Sequence, residues 1–391
     1  MALSIPAVQG ALQEEGLDGW LLYDFHGSNP IARRIADLDS GKMTTRRWYY
    51  LIPASGEPRK LMHAIEPYNL DHLPGGKTIY SQRESLSSGL KSVLGGMKRI
   101  AMEYSPSNAI PYISRVDAGT VEAVRALGTD VVSSGDLVQR FEAVWSAQAL
   151  ETHRAASDAL YRIKDRAFAL VREARAAGRP LTEIEVQRAM TGWFKDEGLI
   201  ADAPPVVAAQ ENAGNPHYMP TDAKHRRIGD GEVVLLDLWG KLTAAGAVYA
   251  DITWVGFTAS TVPDKYVKAF NAARDGRDAA AALVKSRVAA GQAIRGFEVD
   301  RACRDVLERA GFGPQFIHRT GHSLGTEVHG NGVHMDDFET HDERRLIPGT
   351  GFTIEPGVYT SEFGVRTEIN MYVGAREAKV TGPLQTEFVL L

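Results

Sequence analysis

Apolar runs predict two β-hairpins in the second half of the chain. Residues 233–237 (VVLLD) and 248–257 (VYADITWVGF) are rich in aliphatic and β-branched residues, and turn-forming residues 243–247 lie between them. A hairpin folded symmetrically about residue 244 would set Asp237 directly opposite Asp251. The pattern therefore predicts a pair of facing carboxylates in this first hairpin.

The same pattern recurs near the C-terminus. Residues 351–359 (GFTIEPGVY) and 365–373 (VRTEINMYV) flank a turn at 361–364, and Glu355 mirrors Glu368 about its centre. Pro356 and Gly357 weaken the prediction of a regular strand, because a proline directly after Glu355 demands an edge strand or a bulge. A second acidic pair is nevertheless expected.

Side chains alternate between the two faces of a strand, which identifies neighbours for these carboxylates. Thr253 shares the face of Asp251, and Arg366 shares the face of Glu368. We expect the threonine to donate a hydrogen bond and the arginine to balance charge close to the acidic pairs.

Several side chains in this region could bind a metal or move a proton. They are Asp237, Asp251, His318, His322, His329, Glu355 and Glu368. Taken singly, an aspartate at a strand end or a lone histidine is more often a turn, cap or structural residue. Two acidic pairs that obey hairpin symmetry, with three histidines between them in sequence, favour one shared site instead.

Facing buried carboxylates repel each other, so they either share a proton or require a cation. Four carboxylates and one neutral imidazole balance two divalent ions, whereas one ion would leave excess negative charge in a partly dry site. Oxygen-rich ligation with one nitrogen suits Mn²⁺, Co²⁺, Fe²⁺ or Zn²⁺. The only cysteine, Cys303, lies in a helical segment, which argues against a thiolate site.

Four segments resemble a known signature in their order and spacing: LLDLWGKL…VYADITWVGF, HRTGHSLGTEVHG, TIEPGVY and VRTEI. The signature is that of the metallopeptidases with the pita-bread fold, in the prolidase (Xaa-Pro dipeptidase) and aminopeptidase P branch. The resemblance covers about residues 150–391. It implies a dinuclear metal site with Asp237, Asp251, His322, Glu355 and Glu368 as ligands, of which Asp251 and Glu368 bridge both ions.

The resemblance also implies roles in catalysis. Glu355 would be the proton shuttle for a metal-bridged hydroxide, and His329 and His217 would contact the substrate or stabilise the tetrahedral intermediate. His318 would line the substrate pocket, and Arg366 would support the bridging glutamate and the substrate side of the site.

Three features depart from the family pattern. The spacing from Asp237 to Asp251 is three residues longer than in typical relatives, which predicts an extended turn that reaches towards the pocket. Trp254 stands where relatives commonly have arginine. The arginine with which dipeptidases often hold the proline carboxylate is not evident after His329, which leaves restriction to dipeptides open; His334, Arg344 and Arg345 are the nearby alternatives.

The fold class expected is α+β in two domains. Residues 1–145 alternate short apolar runs with helical patterns, which predicts an α/β domain, and the resemblance makes it creatinase-like. Residues 146–391 would form the pita-bread metallopeptidase catalytic domain. Within it we expect helices over 147–175, from Thr182 to about Lys195, and over 295–311.

The resemblance implies that the N-terminal domain shapes the substrate pocket, often across a dimer interface. Residues near the end of its first strand could make such contacts; they are Tyr23, His26, Arg33 and Arg34. The alternative interpretation of these four residues is ordinary surface and turn. A homodimer is the expected assembly.

Composition excludes several classes. The net charge is −5 with both signs dispersed, so there is no basic surface for nucleic acid. One cysteine rules out an intramolecular disulfide framework and agrees with a reducing compartment. No stretch approaches the ~20 apolar residues of a membrane span, and no signal peptide is recognised. We therefore expect a cytoplasmic protein without membrane partners.

The function that the residues and the resemblance predict is hydrolysis of the amide bond before proline. The substrate would be a small peptide, either an Xaa-Pro dipeptide or the N-terminus of a short Xaa-Pro peptide, and the two ions would most readily be Mn²⁺. The alternatives are a metal-dependent lyase or C–N hydrolase of the same fold acting on a small non-peptide substrate, and a scaffold protein that kept the fold without activity.

Overall fold

The structure is a computed structural model that describes residues 3–38 and 41–391. The chain divides into two compact units, Met1–Glu142 and Ala143–Leu391. Each unit has its own buried apolar clusters and is described separately. Among the described helices, none combines the length and the apolar character that a bilayer crossing requires.

The first unit is built on a six-stranded mixed sheet in the order β4-β3-β2-β1-β5-β6. Its strands are β1 (Gly19–Asp24), β2 (Trp48–Pro53), β3 (Arg59–His63), β4 (Gly76–Tyr80), β5 (Arg99–Met102) and β6 (Asp130–Ser133). Its helices are α1 (Ile5–Glu14), α2 (Pro30–Ile35), α3 (Arg83–Leu94), α4 (Ala118–Arg125) and the short α5 (Gly135–Val138).

Helices cover both faces of this sheet. Along β1, Trp20 and Leu22 join a cluster with residues of α1 and α2, whereas Leu21 and Tyr23 join a cluster with residues of α3 and α4. A strand buried on both faces is continuously apolar, which is why the run at 19–23 contains no clear alternation. The predicted α/β pattern is confirmed for this unit.

The second unit contains four long helices. They are α6 (Ala147–Ala176), α7 (Glu183–Asp196), α8 (Asp264–Ala289) and α9 (Gly296–Arg309). The Ser146 side chain caps α6 by accepting a hydrogen bond from the backbone of Ala149. Thr182 and Glu185 form the predicted capping box at the start of α7. The three helices expected from sequence in this unit are therefore confirmed.

The strands of the second unit form three sheets. A five-stranded sheet contains β7 (Leu199–Ile200), β8 (Val206–Ala209), β9 (Val233–Leu242), β10 (Ala250–Phe257) and β17 (Val389–Leu390). A four-stranded sheet contains β11 (Ser323–Leu324), β12 (Gly351–Ile354), β15 (Ile369–Val373) and β16 (Ala378–Val380), and a two-stranded sheet contains β13 (Gly357–Tyr359) and β14 (Gly364–Arg366). Short 3₁₀ or π turns lie at Pro106–Asn108, Gln139–Ala143, Gln210–Gly214 and Gly313–Gln315.

The register predicted for the first hairpin is wrong by two residues. Asp237 on β9 pairs with Thr253 on β10, and Asp251 pairs with Trp239. The pairing is centred one residue later than predicted, because the turn closes between Ala244 and Ala247, whose carbonyl and N–H are 3.1 Å apart. A two-residue shift keeps both aspartates on one face of the hairpin, but places them diagonally instead of directly opposite.

The register predicted for the second hairpin is confirmed. Ile354 pairs with Ile369 and Gly357 with Arg366, which is the symmetry that places Glu355 opposite Glu368. Pro356 interrupts the strand as expected, so that β12 ends before it and β13 begins after it. Both glutamates therefore lie at a break in the ladder, Glu355 between β12 and β13 and Glu368 between β14 and β15.

Candidate metal centre

The two hairpins are joined beside Asp251. The Asp251 backbone N–H donates to Oδ1 of Asn370 at 3.0 Å, and Nδ2 of Asn370 donates back to the Asp251 carbonyl. Next to this pair, the Glu368 N–H donates to the Thr253 carbonyl at 3.1 Å, and Oγ1 of Thr253 donates to Oε2 of Glu368 at 2.8 Å. These bonds bring the carboxylates of Asp251 and Glu368 together.

A third segment adds His322 to the same place. This segment bonds to β12 and to the residue that follows it: the Thr353 N–H donates to the His322 carbonyl at 2.9 Å, and the Glu355 N–H donates to the Thr320 carbonyl at 2.7 Å. A Cβ on Gly321 would overlap the Thr353 carbonyl oxygen, so this close approach requires glycine. The His322 side chain consequently projects beside that of Glu355.

The side chains converge tightly. Ligand-type atoms of Asp251, His322 and Glu368, all three buried, lie within 4.8 Å of one another. Nε2 of His322 is 3.5 Å from Oδ2 of Asp251 and 3.4 Å from Oε1 of Glu355. Glu355 is half-buried and therefore lies at the more open side of this cluster.

The cluster is electrostatically unbalanced without a cation. Burial, followed by the charges of Asp237 and Glu355, raises the pKa of Asp251 well above its usual range. Burial, followed by the charge of Asp251, does the same to the pKa of Glu368. Oδ1 of Asp251 and Oε1 of Glu368 are buried and have no hydrogen-bond partner in the described residues. Buried oxygens of this kind require a ligand that the protein itself does not supply.

The protonation and orientation of His322 also indicate a cation site. Nδ1 of His322 lies 3.2 Å from the Ser323 carbonyl, so that N–H can donate there and leave a lone pair on Nε2. Burial lowers the pKa of His322, which favours the neutral ring. A lone pair facing two carboxylate oxygens is repulsive unless a cation lies between them. The donor set therefore fits a divalent ion with oxygen and imidazole ligands.

Asp237 lies beside the cluster and faces Arg366. The Arg366 guanidinium donates to Asp237, to Oγ1 of Thr253 at 2.9 Å and to the hydroxyl of Tyr359 at 3.0 Å. Burial alone would lower the pKa of Arg366, yet the surrounding carboxylates, Asp237 foremost, raise it. All three guanidinium nitrogens have protein partners, so the arginine orients Asp237 directly and Glu368 through Thr253.

Tyr359 is a site residue that the sequence analysis missed. Its hydroxyl is 2.8 Å from Nε2 of His318, whose Nδ1 is 2.7 Å from the Arg319 carbonyl. Burial foremost lowers the pKa of His318 to about 3, so the ring is neutral. Both ring nitrogens are hydrogen-bonded. Gly357 is the sequence feature associated with this position of Tyr359. The tyrosine ring folds back over the glycine, and a Cβ there would overlap the ring.

The structure places the other two predicted histidines differently. The ring of His329 contacts that of His322 edge to face, with 4.3 Å between centroids. Repulsion from His322 foremost lowers the pKa of His329 to about 2. His217 is exposed, and its backbone N–H donates to Oδ1 of Asn215 at 3.0 Å. His329 therefore borders the cluster directly, through its contact with His322.

The departures from the family pattern have structural counterparts. Trp254 packs under Lys164 of α6, whose Nζ is 3.8 Å from the ring centroid. Arg344 is buried in an ion pair with Asp342 and also donates to backbone carbonyls, so it is used inside the protein. The backbone N–H of His334 donates to the same Asp342.

The four N-terminal candidates contact residues of their own unit. His26 is exposed in the turn after β1, and its ring meets that of Phe25 edge to face, with 4.4 Å between centroids. Tyr23 is buried in the sheet, Arg33 donates to Thr44 at 2.6 Å, and Arg34 pairs with Glu142. Tyr23 and Arg33 are thus buried, whereas His26 and Arg34 are exposed, as the alternative interpretation of ordinary surface and turn expects for those two.

Residues 151–375 match the metallopeptidase family M24, and the chain belongs to that family. It is 31% identical over 247 residues to a probable dipeptidase PepE of Mycobacterium tuberculosis. This match covers 62% of this chain and 59% of that protein. It is 33% identical over 164 residues to an Xaa-Pro dipeptidase of Lactobacillus helveticus, covering 42% of this chain and 40% of the relative. The matches thus span less than two thirds of these relatives.

Solved structures show the fold. Dipeptidase PepE from Mycobacterium ulcerans aligns with a TM-score of 0.72 at 23% identity, covering 99% of this chain and 96% of that one. An Xaa-Pro dipeptidase from Bacillus anthracis aligns with a TM-score of 0.64 at 20% identity, covering 99% of both chains. Together with the observed elements, these likenesses confirm the α+β pita-bread architecture with a smaller α/β N-terminal part.

Proposed function

We propose that the chain is a metal-dependent peptidase that cleaves the amide bond before proline, in Xaa-Pro dipeptides or at the N-terminus of short Xaa-Pro peptides. The observation that supports this most is the buried cluster of Asp251, His322 and Glu368, with unpartnered carboxylate oxygens, in a member of a metallopeptidase family. The names of the relatives, dipeptidase and Xaa-Pro dipeptidase, support the substrate class.

Five side chains would hold two divalent ions, most readily Mn²⁺; they are Asp237, Asp251, His322, Glu355 and Glu368. When bound, such ions polarise the scissile carbonyl and lower the pKa of a bound water to near neutrality. Arg366 limits the mutual repulsion of these ligands by pairing with Asp237. Thr253 holds one oxygen of Glu368 and leaves Oε1 for an ion.

Glu355 is the group best placed to move a proton. Oγ1 of Thr353 donates to its Oε1 at 3.1 Å, which orients the carboxylate while its half-buried position leaves it accessible. A proline nitrogen is a tertiary amide without N–H, so its departure requires a delivered proton, and Glu355 would supply it. His329 and His217 would stabilise the oxyanion. His318 would line the pocket with its ring, since both ring nitrogens are engaged.

We also propose that the protein acts as a cytoplasmic homodimer. The single cysteine supports a reducing compartment. Sedimentation of the purified protein at micromolar concentration tests the assembly, and a monomer of 42.7 kDa would contradict it.

The experiment that tests the activity begins with chelator-treated protein reloaded with Mn²⁺. Metal analysis should find about two ions per chain, and the reloaded protein should cleave Ala-Pro or Ala-Pro-Ala but not Ala-Ala. Preference for the dipeptide or the tripeptide then distinguishes a dipeptidase from an aminopeptidase. Bound metal without cleavage of any Xaa-Pro peptide would contradict the proposal and favour another reaction on this fold.

The variant Glu355→Gln tests the proton transfer. Cleavage should fall by about 10²-fold to 10⁴-fold, because the amide cannot exchange the proton. At least one ion per chain should remain, since the other ligands are unchanged. Glu362→Gln is the matched control, because Glu362 lies on the exposed turn of the same hairpin and pairs only peripherally with Lys265. Full activity of Glu355→Gln would remove this residue from the mechanism.

A further inference from the structure

The face of β9 that carries Asp237 also carries a tryptophan that the family resemblance does not assign. Leu236 and Leu238 point into the apolar cluster beneath α6, whereas Asp237, Trp239 and Lys241 alternate with them and are half-buried. Trp239 is the cross-strand partner of Asp251. Its indole therefore lies on the metal side of the hairpin, directly next to a proposed ligand.

The indole is fixed in place. Its Nε1–H donates to Oδ1 of Asp202 at 2.6 Å, a short bond to a charged acceptor. Asp202 lies in the connection between β7 and β8. Burial foremost raises the pKa of Asp251, and the charge of Asp202 adds a small part to that rise. Trp239 also packs against two separate apolar clusters, one of which includes Tyr249 and Leu324. The ring is thus held at its edge while it remains partly exposed.

A purely structural role explains this arrangement less well. A tryptophan that only fills a core is buried, as Trp20 and Trp48 are in the first unit. Here Asp202, a charged residue in the connection between β7 and β8, fixes the indole at the site. The next residue on the same face is Lys241. Its Nζ donates to the Thr326 carbonyl at 2.5 Å and lies over the Tyr249 ring, 4.9 Å from the centroid, so it has partners other than the indole. The indole is left as a flat, rigid surface beside Asp251.

We propose that Trp239, positioned by Asp202, is the wall of the substrate pocket beside Asp251 and limits the size of the side chain that precedes proline. This inference rests on the proposed function. The charges of Asp202 and Glu327 both act on Lys241. Two carboxylates and one ammonium group leave this end of the site with a net negative charge, which suits a peptide α-ammonium group. The amino-terminal residue of the substrate would therefore contact the indole.

Kinetics with Ala-Pro, Leu-Pro and Phe-Pro test the wall. In Trp239→Ala the ratio of kcat/KM for Phe-Pro to that for Ala-Pro should rise about tenfold or more, mainly through KM, because space is created beside the larger side chain. The control is Trp193→Ala on α7, where the indole stacks with Arg166. An unchanged ratio in Trp239→Ala, or an equal rise in the control, overturns the proposal.

Two variants of Asp202 test the positioning. Asp202→Asn keeps an oxygen acceptor for the indole and should retain the wild-type substrate ratio, whereas Asp202→Ala should relax it towards that of Trp239→Ala. Tryptophan emission should shift in Asp202→Ala, and this shift should be absent when Asp202→Ala is made in Trp239→Phe. Asp202→Ala with unchanged selectivity and emission would overturn the role of Asp202.

A binding measurement separates this inference from the proposed function. If the unaltered Mn²⁺-loaded protein cleaves no Xaa-Pro peptide, the proposed function fails by itself. Titration with Phe-Pro must then still change the tryptophan emission of the unaltered protein, and Trp239→Phe must remove that change. If the emission does not change on titration, or changes equally in both proteins, the proposal that Trp239 lines the pocket is overturned as well.

Discussion

Two hairpins supply carboxylates to the candidate site, and their registers were predictable to different degrees. In the second hairpin the strands are joined by a short closed turn, with the Thr360 N–H bonded to the Phe363 carbonyl at 2.9 Å and the Phe363 N–H to Oγ1 of Thr360 at 3.0 Å. In the first, residues 243–249 connect the strands and the turn lies off the predicted centre. Turn geometry, more than apolar symmetry, therefore sets the register.

The difference changes which groups meet. Because the shift is two residues, Asp237 and Asp251 stay on one face, but Asp251 faces Glu368 and His322 while Asp237 pairs with Arg366. The first hairpin thus contributes one ligand to the centre of the cluster and one to its edge. The following experiments test this asymmetry.

The largest effect is expected for Asp251→Ala. We predict loss of bound Mn²⁺ and of peptide cleavage, because Asp251 is the residue of the first hairpin at the centre of the cluster. Asp237→Ala should retain at least one ion, since Asp251, His322 and Glu368 remain together. Metal analysis after gel filtration measures both. Greater metal loss in Asp237→Ala than in Asp251→Ala would reverse the assignment of centre and edge.

Asn370→Ala should weaken the contact between the two hairpins beside Asp251. Two buried hydrogen bonds to the Asp251 backbone are lost, and the free energy of unfolding should fall by about 2–4 kcal/mol. Gln385→Ala is a matched control, because Gln385 makes the same pair of bonds to Val255 farther along β10. Denaturant unfolding should show similar losses in both variants, but Mn²⁺ affinity should fall only in Asn370→Ala. Equal Mn²⁺ affinity in both would mean that Asn370 does not position Asp251.

Two glycine variants compare the close packing of the His322 segment against the second hairpin with the turn strain in the first hairpin. Gly321→Ala should destabilise the protein by about 1–3 kcal/mol, because the added methyl meets the Thr353 carbonyl. Gly246→Ala, at a φ of +73° in open space, should cost about 1 kcal/mol. Only the first should also weaken Mn²⁺ binding, since Gly321 precedes His322. A larger loss for Gly246→Ala would contradict this comparison.

The last effect is a pH dependence of the metal-free protein. Burial raises the pKa of Asp251 and Glu368 in the folded state, so the folded protein binds more protons there than the unfolded chain. Their stabilising contribution is complete below the ordinary carboxyl pKa of about 4 and is lost as pH rises through the raised values. In chelator, stability should therefore decline towards neutral pH, by at most about 1.4 kcal/mol per pH unit for each proton.

Asp251→Asn should flatten this decline, because the amide does not titrate. Urea unfolding at several pH values in chelator measures it. Mn²⁺ affinity should change in the opposite sense and strengthen as pH rises, since the ion displaces those protons. A metal-free protein that gains stability towards neutral pH through these residues would contradict the raised pKa of the pair.

Much of the architecture could be predicted from local sequence. The capping box at Thr182, the helix after Ser146 and the strand break at Pro356 each follow from short-range chemistry that tertiary contacts did not override. The contacts of Asn370, Tyr359 and Trp239 were missed, because each connects segments far apart in the chain, and an asparagine or an aromatic residue in a strand has no local pattern that indicates such a partner.

The sequence by itself determined which residue types were available and which faces they share, because side-chain alternation in strands and helix capping depend on neighbouring residues alone. It also indicated the family. Only the tertiary structure decided that Asp251 meets Glu368 and His322, that Arg366 holds Asp237, and that Trp239 lies beside the cluster. These pairings depend on turn geometry and on hydrogen bonds between strands that are distant in sequence, and a single register shift changes them all.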